Sequence, residues 1–173
     1  MDEEKNPAKW KEMLTDEQKK SMEKQKLELG GLLHDGWRED RKKEDGSYEP
    51  RTKVLVKTAE GKEKWFNEDQ VPKDSTELRR QDIANTDFKD LDPYWQADNK
   101  ASADVAIDIL TEAKASNLPL DDEFIENASS KIHNAWRERT PWAPKEQLVD
   151  YDKLSEKDQN EDRKIIKKAL SMA

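Results

Sequence analysis

Arginine and lysine side chains that lie near aromatic residues are the most chemically distinctive feature of this 173-residue sequence. An aromatic ring offers a stacking face to a base, and a guanidinium offers two parallel donors to a phosphate or carboxylate. Together they predict a site for a small anionic, nucleotide-like or phosphorylated ligand. The candidate residues for that site are Arg38, Arg41, Tyr48, Arg51, Arg137, Arg139, Trp142, Lys145 and Arg163.

The same cations also have a structural interpretation. The chain holds 40 Asp and Glu residues, and arginines in an acidic sequence usually form surface ion pairs that contribute about 0 to 1 kcal/mol each. Arg163, next to Asp162, would then tie its helix to the preceding turn. The sequence leaves both interpretations open.

The chain has two histidines, His34 and His133. Each follows an aliphatic residue and precedes a tryptophan, Trp37 or Trp136, by three positions, which places it at the border of the buried face of a helix. We interpret these four residues as the structural core of a repeat; a pH-sensitive or ligand-facing histidine is the alternative. No metal site is expected, because neither histidine has a second His or a carboxylate three or four positions further along.

Catalytic patterns are lacking. The sequence has no nucleophile elbow, no phosphate-binding glycine-rich loop, no metal-binding histidine pair and no cysteine. Asp and Glu are too abundant for one pair to stand out as a general acid and base. We therefore expect neither an enzyme nor a cofactor. An unrecognised hydrolase would require an activity that disappears when His34 or His133 is substituted.

Three blocks of sequence occur twice in the same order. In the first block, at 33–39 and again at 132–138, an aliphatic residue, His, Trp, Arg and Glu recur in register. The second block is an aromatic-x-Pro-basic turn, at 48–51 and 142–145. The third block, at 87–100 and 150–163, is Asp-aromatic-x-x-Leu followed by Gln-x-x-Asn-Lys in the first copy and Gln-x-x-Asp-Arg in the second. Ordered repetition of this kind indicates a duplicated module.

This order of blocks resembles the ryanodine-receptor (RyR) repeat, a small helical module found in animal calcium channels and in bacterial and phage proteins. The second copy, roughly 122–172, is the better match, because Asn99 and Lys100 replace the Asp-Arg pair in the first. The resemblance implies a mainly α fold with two RyR-like modules about a pseudo-twofold axis and a β-hairpin insertion in the first. The expected domains are an extension at 1–26, a first module at 27–116 with its insertion at 52–86, and a second module at 117–173.

The resemblance also implies a non-catalytic recognition function. In bacterial and phage settings such domains accompany nucleotide-signalling and defence genes, which favours sensing or sequestration of a nucleotide-derived ligand in a cleft between the copies. In the channels the paired repeats are exposed accessory domains, which favours contact with a protein. The alternative function is therefore a structural or protein-interaction module that docks another chain through its charged helices and residues 1–26.

Composition limits the partners. A net charge of −8 argues against general nucleic-acid binding, which needs a positive surface. The absence of cysteine fits a reducing, cytoplasmic setting, and no apolar run approaches the ~20 residues of a membrane span. Six Trp in a chain that is 42% charged predict a thin core built around tryptophans. Self-association stays open.

Local patterns predict the elements. Thr15 and Gln18 form a capping box that starts a helix, which we expect to weaken at Gly30-Gly31. Residues 52–57 and 62–66 flank a glycine turn and predict a hairpin, whereas 72–82 predicts a loop with one helical turn. Pro93 starts a helix to about Ala115, with an inward face expected at Trp95, Ala101, Val105, Ile109 and Leu110. Asp121 or Asp122 caps the next helix, and Ser155 caps the last.

Overall fold

The computed structural model describes residues 12–141 and 143–172. Over this part of the chain four α-helices and three β-strands are joined by short 3-10 turns. The helices are α1 (Asp16–Glu39), α2 (Pro93–Ala115), α3 (Asp122–Arg139) and α4 (Glu156–Met172); the strands are β1 (Thr52–Lys57), β2 (Glu63–Asn67) and β3 (Thr76–Asp82). The protein is thus mostly helical with one small antiparallel sheet.

The chain forms two compact units, whose boundaries fall within α1 and α2. The helical unit holds the described residues up to Leu33 and from Lys100 onward, and the sheet unit spans His34–Asn99. Residues 27–33 and 100–116, which the sequence analysis assigned to the first module, lie in the unit that holds the second.

The helices begin where their capping residues predict. Thr15 Oγ1 accepts a hydrogen bond from the Gln18 amide at 3.1 Å, and Gln18 Oε1 accepts one from the Thr15 amide at 2.8 Å. Asp121 accepts from the Phe124 amide at 3.0 Å. These contacts satisfy amides that have no partner within the first turn of a helix.

The core of the helical unit is made mainly of small and aliphatic residues from all four helices, with Phe124 as its one aromatic member among the described residues. The expected core built around tryptophans is wrong for the described part of the chain, because none of its tryptophans is buried. The fully buried members of the core include Leu29, Ile132 and Ile166, and alanines of α2, α3 and α4 let the helices approach closely.

The inward face of α2 matches the expected one in part, because Leu110 is buried and Val105 and Ile109 pack against the core, whereas Trp95 and Ala101 are not part of it. The buried residues of α2 are Ala103, Ala106, Ile107, Leu110 and Ala113.

The expected weak point at Gly30-Gly31 is a second correction. Helix α1 continues through both glycines to Glu39. Each glycine costs about 1 kcal/mol relative to alanine, but Leu29 on the same turn is fully buried in the core. Burial of one such side chain stabilises by about 1.5 to 3 kcal/mol. Because Met22 of the same helix is buried in the core as well, packing outweighs the roughly 2 kcal/mol that the two glycines cost together.

The predicted hairpin is confirmed. β1 and β2 pair antiparallel with Leu55 opposite Trp65, and the turn between them contains Gly61 at φ +84°, a conformation that glycine adopts without strain. Trp65 packs against Tyr94 and Trp95 at the start of α2, with ring centroids 5.9 and 5.4 Å away.

The expected loop at 72–82 is wrong, because Thr76–Asp82 is a third strand. β3 pairs antiparallel with β1, which makes the sheet order β2-β1-β3. Its sequence carries a single large apolar residue, Leu78, so the period-2 signal of a strand is weak. The strand forms because the edge of β1 provides backbone partners.

No helix in the described part of the chain combines the length and the apolar character that crossing a bilayer requires.

Candidate functional site

His34 is held inside the sheet unit by a backbone hydrogen bond. It is 2% exposed, its Nε2 donates to the carbonyl oxygen of Thr86 at 2.8 Å, and its ring stacks on Trp37 with centroids 5.9 Å apart and planes at 24°. Burial lowers the pKa of His34, and the nearby Arg38 acts in the same direction. A neutral imidazole at this position orients the turn that precedes α2.

His133 makes the same contacts inside the helical unit. It is 3% exposed, its Nε2 donates to the carbonyl oxygen of Val149 at 2.7 Å, and its ring stacks on Trp136 at 5.9 Å and 22°. Unlike His34, it also faces a carboxyl group, since its Nδ1 lies 3.5 Å from Asp162 Oδ2. Burial, together with Asp158 and Glu161, raises the pKa of Asp162 to about 7.

The correspondence extends along both segments. A 3-10 turn follows each of these carbonyls, at Phe88–Asp90 and at Tyr151–Lys153. The side-chain amide of a glutamine in the next helix then donates to the first residue of the turn: Gln96 to the Phe88 carbonyl oxygen, and Gln159 to that of Tyr151, both at 2.9 Å. The same set of contacts therefore occurs in each unit.

In the sheet unit, Arg38 and Tyr48 lie together as the sequence predicted. The Arg38 guanidinium stands 4.4 Å from the centroid of the Tyr48 ring. Its donors are already engaged, however, because Nε donates to the Ala84 carbonyl oxygen at 2.8 Å and Nη1 to Asp87 at 2.9 Å. Its side chain is 12% exposed. Arg38 therefore acts as an internal clasp, in the sense that it joins the end of α1 to the segment that contains Ala84 and Asp87.

Arg41 and Arg51 differ in whether their guanidinium groups have hydrogen-bond partners. Arg41 donates to the carbonyl oxygens of Glu49 and Pro50 at 3.1 and 3.0 Å and lies over the Trp37 ring at 5.2 Å. Arg51 is anchored through its backbone, since its amide donates to Asp82 at 2.9 Å. No hydrogen bond or ion pair connects its guanidinium to another described residue.

The predicted arginines of the helical unit have protein partners. Arg137 donates to Asp150 at 3.1 Å, and Arg139 donates to Ser102 Oγ at 2.7 Å. Arg163 donates two hydrogen bonds to the carboxylate of Glu126, at 2.7 and 2.9 Å, which holds α4 to α3. It also donates to Glu156 at 2.8 Å. Lys145 lies in the 3-10 turn Lys145–Gln147, and Trp142 lies outside the described residues.

A second cluster of cations and aromatic rings, absent from the predicted site, lies on the sheet. The Lys53 ammonium stands 5.1 Å from the Trp95 ring centroid, and the Arg79 guanidinium stands 5.5 Å from that of Trp65. Arg79 pairs with Asp92, whereas no described carboxylate lies within ion-pair distance of Lys53. Burial, followed by the charge of Arg51, lowers the pKa of Lys53, while the charge of Asp98 acts in the opposite direction.

The helical unit also has a groove of about 380 Å³ between the end of α2 and the start of α3, which we call the α2–α3 groove. Buried Ala113, Phe124 and Ala128 line it together with half-buried Ile109. Glu112 and Glu123 contribute negative charge. This volume falls in the range of small ligand sites and of pockets for single side chains.

The turn beside the groove presents apolar side chains to solvent. Leu118 and Leu120 are 54% and 40% exposed. The turn is fixed, because Asn117 adopts a left-handed conformation at φ 57° and the Leu118 amide donates to the Ala113 carbonyl oxygen at 2.9 Å, an arrangement that caps the end of α2. A leucine pair around Pro119 in an acidic connection is a sequence signal that would have found this surface.

Among the described residues, no group of three or more His, Cys, Asp or Glu side chains is placed to hold a metal ion.

Comparison of the chain with family models, with curated proteins and with solved structures found no match.

Proposed function

We propose that this chain is a non-catalytic recognition protein built from two modules of one type, similar to the RyR repeat. The support is the paired set of contacts around His34 and His133, which joins a histidine, a tryptophan, a backbone carbonyl and a following 3-10 turn in the same way. A shared ancestry of the two segments accounts for these contacts more simply than independent origin does. The pseudo-twofold relation between the copies stays a prediction.

We further propose that recognition means docking another polypeptide, through the helical unit. The observation that carries this proposal is the exposure of Leu118 and Leu120 beside an apolar groove. Contiguous apolar surface with a polar rim is typical of protein-interaction sites. The guanidinium donors of Arg38 and Arg163, by contrast, are engaged by internal acceptors, so an anion there would have to displace protein partners.

Affinity capture with the full chain, followed by reconstitution with each purified captured protein, tests the proposal. The double variant Leu118→Asp/Leu120→Asp should lose the reconstituted complex, because two charges would enter the apolar contact. Leu78→Asp is the matched control, since Leu78 is also exposed, at 45%, but lies on β3 of the sheet unit.

Two outcomes would contradict the docking proposal. One is that no purified protein forms a complex with the folded chain. The other is that Leu78→Asp abolishes the complex while the Leu118/Leu120 variant retains it, which would move the contact to the sheet unit. Sedimentation of the chain alone shows whether a second copy is the bound polypeptide.

A second candidate function, binding of a small anionic ligand, is favoured by Lys53 and Arg51. Among the described residues neither cation has an ion-pair partner, and the ammonium of Lys53 lies on the face of Trp95. A ligand phosphate would relieve the repulsion between the two cations, and its base would have aromatic rings nearby on which to stack.

A thermal-shift panel of nucleotides and cyclic dinucleotides tests this candidate. A ligand at about 100 times its dissociation constant adds about 2.7 kcal/mol to the free energy of unfolding. Lys53→Ala should remove the stabilisation, whereas Lys57→Ala, an exposed lysine on the same strand, should preserve it. A panel with no stabilising ligand, on folded protein, rules the candidate out.

A further inference from the structure

The α2–α3 groove has an apolar floor and an acidic rim. Ala113 and Ala128 are 2% and 1% exposed, and Phe124 is 8% exposed, so the floor is firm and apolar. The groove leaves a volume of about 380 Å³ over this floor, and an aliphatic or aromatic side chain of a partner is the group that such a space takes.

The charges around the groove are unbalanced. Its lining includes the carboxylates of Glu112, Asp121 and Glu123 and one ammonium, that of Lys131. Asp121 is occupied as the cap of α3, where it accepts from the Phe124 amide. The carboxylates of Glu112 and Glu123 form no hydrogen bond or ion pair with another described residue. They are thus free to pair with cations of a partner.

The chain as a whole reinforces this preference. Its net charge of −8 attracts basic partners and repels acidic ones during encounter. Leu118 and Leu120, exposed at the end of the groove, extend the apolar contact beyond its floor. The fixed turn that carries them keeps this surface preformed, which lowers the entropic cost of binding.

We infer that the α2–α3 groove binds a short basic amphipathic helix of a partner protein, with leucine-type side chains inserted over Ala113 and Ala128 and Lys or Arg side chains paired with Glu112 and Glu123. The inference rests on the proposed docking function and gives it a site and a partner chemistry. A helix fits because apolar anchors spaced three and four residues apart fall on one face and can enter a groove between two helices.

Fluorescence anisotropy of the full chain with three labelled peptides tests the inference. The first peptide carries leucines on one helical face and lysines on the other; the second has glutamates in place of the lysines; the third has serines in place of the leucines. The first should bind saturably, the other two at least about tenfold more weakly, and its affinity should fall as salt rises.

Two charge-reversed variants locate the site. Glu112→Lys should weaken binding of the first peptide by about fivefold or more, the loss expected for one surface ion pair replaced by repulsion. Glu138→Lys is the control, because Glu138 is exposed and lies outside the groove. Both residues lie in the last turn of their helices, where a lysine is favourable, so neither change should unfold the chain.

A steric variant gives a second readout that does not depend on charge. Asn127→Trp places a large ring in the lining from an exposed position on α3 and should block all three peptides, while circular dichroism verifies the fold. Equal binding of the lysine and glutamate peptides, or unchanged binding by both Glu112→Lys and Asn127→Trp, would overturn the inference.

The groove and the docking function can fail separately. A chain that forms a reconstituted complex with a protein but binds none of the three peptides would overturn the groove assignment and leave the docking function standing. A chain that binds neither would overturn both.

Discussion

The carboxyl group of Asp162 lies 3.5 Å from Nδ1 of His133, in a buried site where the other ring nitrogen donates to the Val149 carbonyl oxygen. The residue at the corresponding position of the first copy is Asn99, which cannot titrate. The two histidines are therefore alike in ring stacking and in their backbone hydrogen bond, whereas the residue at this position of the following helix titrates only in the second copy.

Asp162→Asn should change how stability depends on pH. The folded protein raises the pKa of Asp162 from 3.8 to about 7, so the stability that this group contributes is complete below pH 3.8 and is lost as pH rises through about 7. Asparagine is neutral throughout. In urea unfolding, the free energy of unfolding of the variant should therefore rise relative to that of the wild type as pH increases from about 4 to about 8.

The control for this experiment is Asp152→Asn, which neutralises an exposed carboxylate in the neighbouring 3-10 turn. A difference between Asp162→Asn and the wild type that is constant across the pH range would show that Asp162 titrates normally in the folded state.

His34→Gln should have the opposite pH signature. Burial lowers the pKa of His34 below 6.5, so the stability that the neutral ring contributes is present above pH 6.5 and is lost as pH falls through the folded pKa. Glutamine retains a donor for the Thr86 carbonyl oxygen and does not ionise. In urea unfolding, the free energy of unfolding of the variant should rise relative to that of the wild type as pH falls below about 6.5, and a difference that does not change with pH would contradict this account.

Arg38→Ala should destabilise the protein more than Arg137→Ala. Removal of Arg38 leaves the carbonyl oxygen of fully buried Ala84 without its donor, which costs about 1 to 3 kcal/mol. Arg137 is 32% exposed and its carboxylate partner Asp150 is 66% exposed, so its loss should cost less than about 1 kcal/mol. Denaturant midpoints measure both, and the reverse order would refute the clasp role of Arg38.

The fold could be predicted wherever the determining contacts are local. The cap at Thr15, the proline at the start of α2 and the glycine turn at Gly61 each act within four residues, and the corresponding elements were found. Strand β3 could not be found, because its hydrogen bonds go to β1, 19 or more residues away along the chain, and its own side chains are polar except for Leu78.

The candidate site was predicted less well than the fold, for a related reason. The types of Arg38, Arg41 and Arg163 are compatible with ligand binding or with internal pairing. Only the folded arrangement decides which, because their partners are backbone carbonyls and a carboxylate 37 or more positions away in two of the three cases. The same reason explains why the sequence analysis did not identify Lys53 or the exposed leucines of the α2–α3 turn, because only the folded arrangement shows which side chains lack an ion-pair partner or remain exposed.

Leu29→Ala and Leu27→Ala compare a buried and an exposed leucine two positions apart on α1. Leu29 is fully buried and Leu27 is 53% exposed. The first substitution should lower the free energy of unfolding by about 2 to 5 kcal/mol and the second should change it by less than about 0.5 kcal/mol. Comparable effects in thermal or urea unfolding would show that α1 is not docked through this face.

Binding of a polypeptide at the α2–α3 groove can be measured by hydrogen exchange of the full chain, with and without the basic leucine peptide at saturation. If the peptide binds there, backbone amides across residues 109–131 should exchange more slowly and those across 51–95 should be unchanged. Slowing confined to 51–95, or no slowing across 109–131, would contradict it.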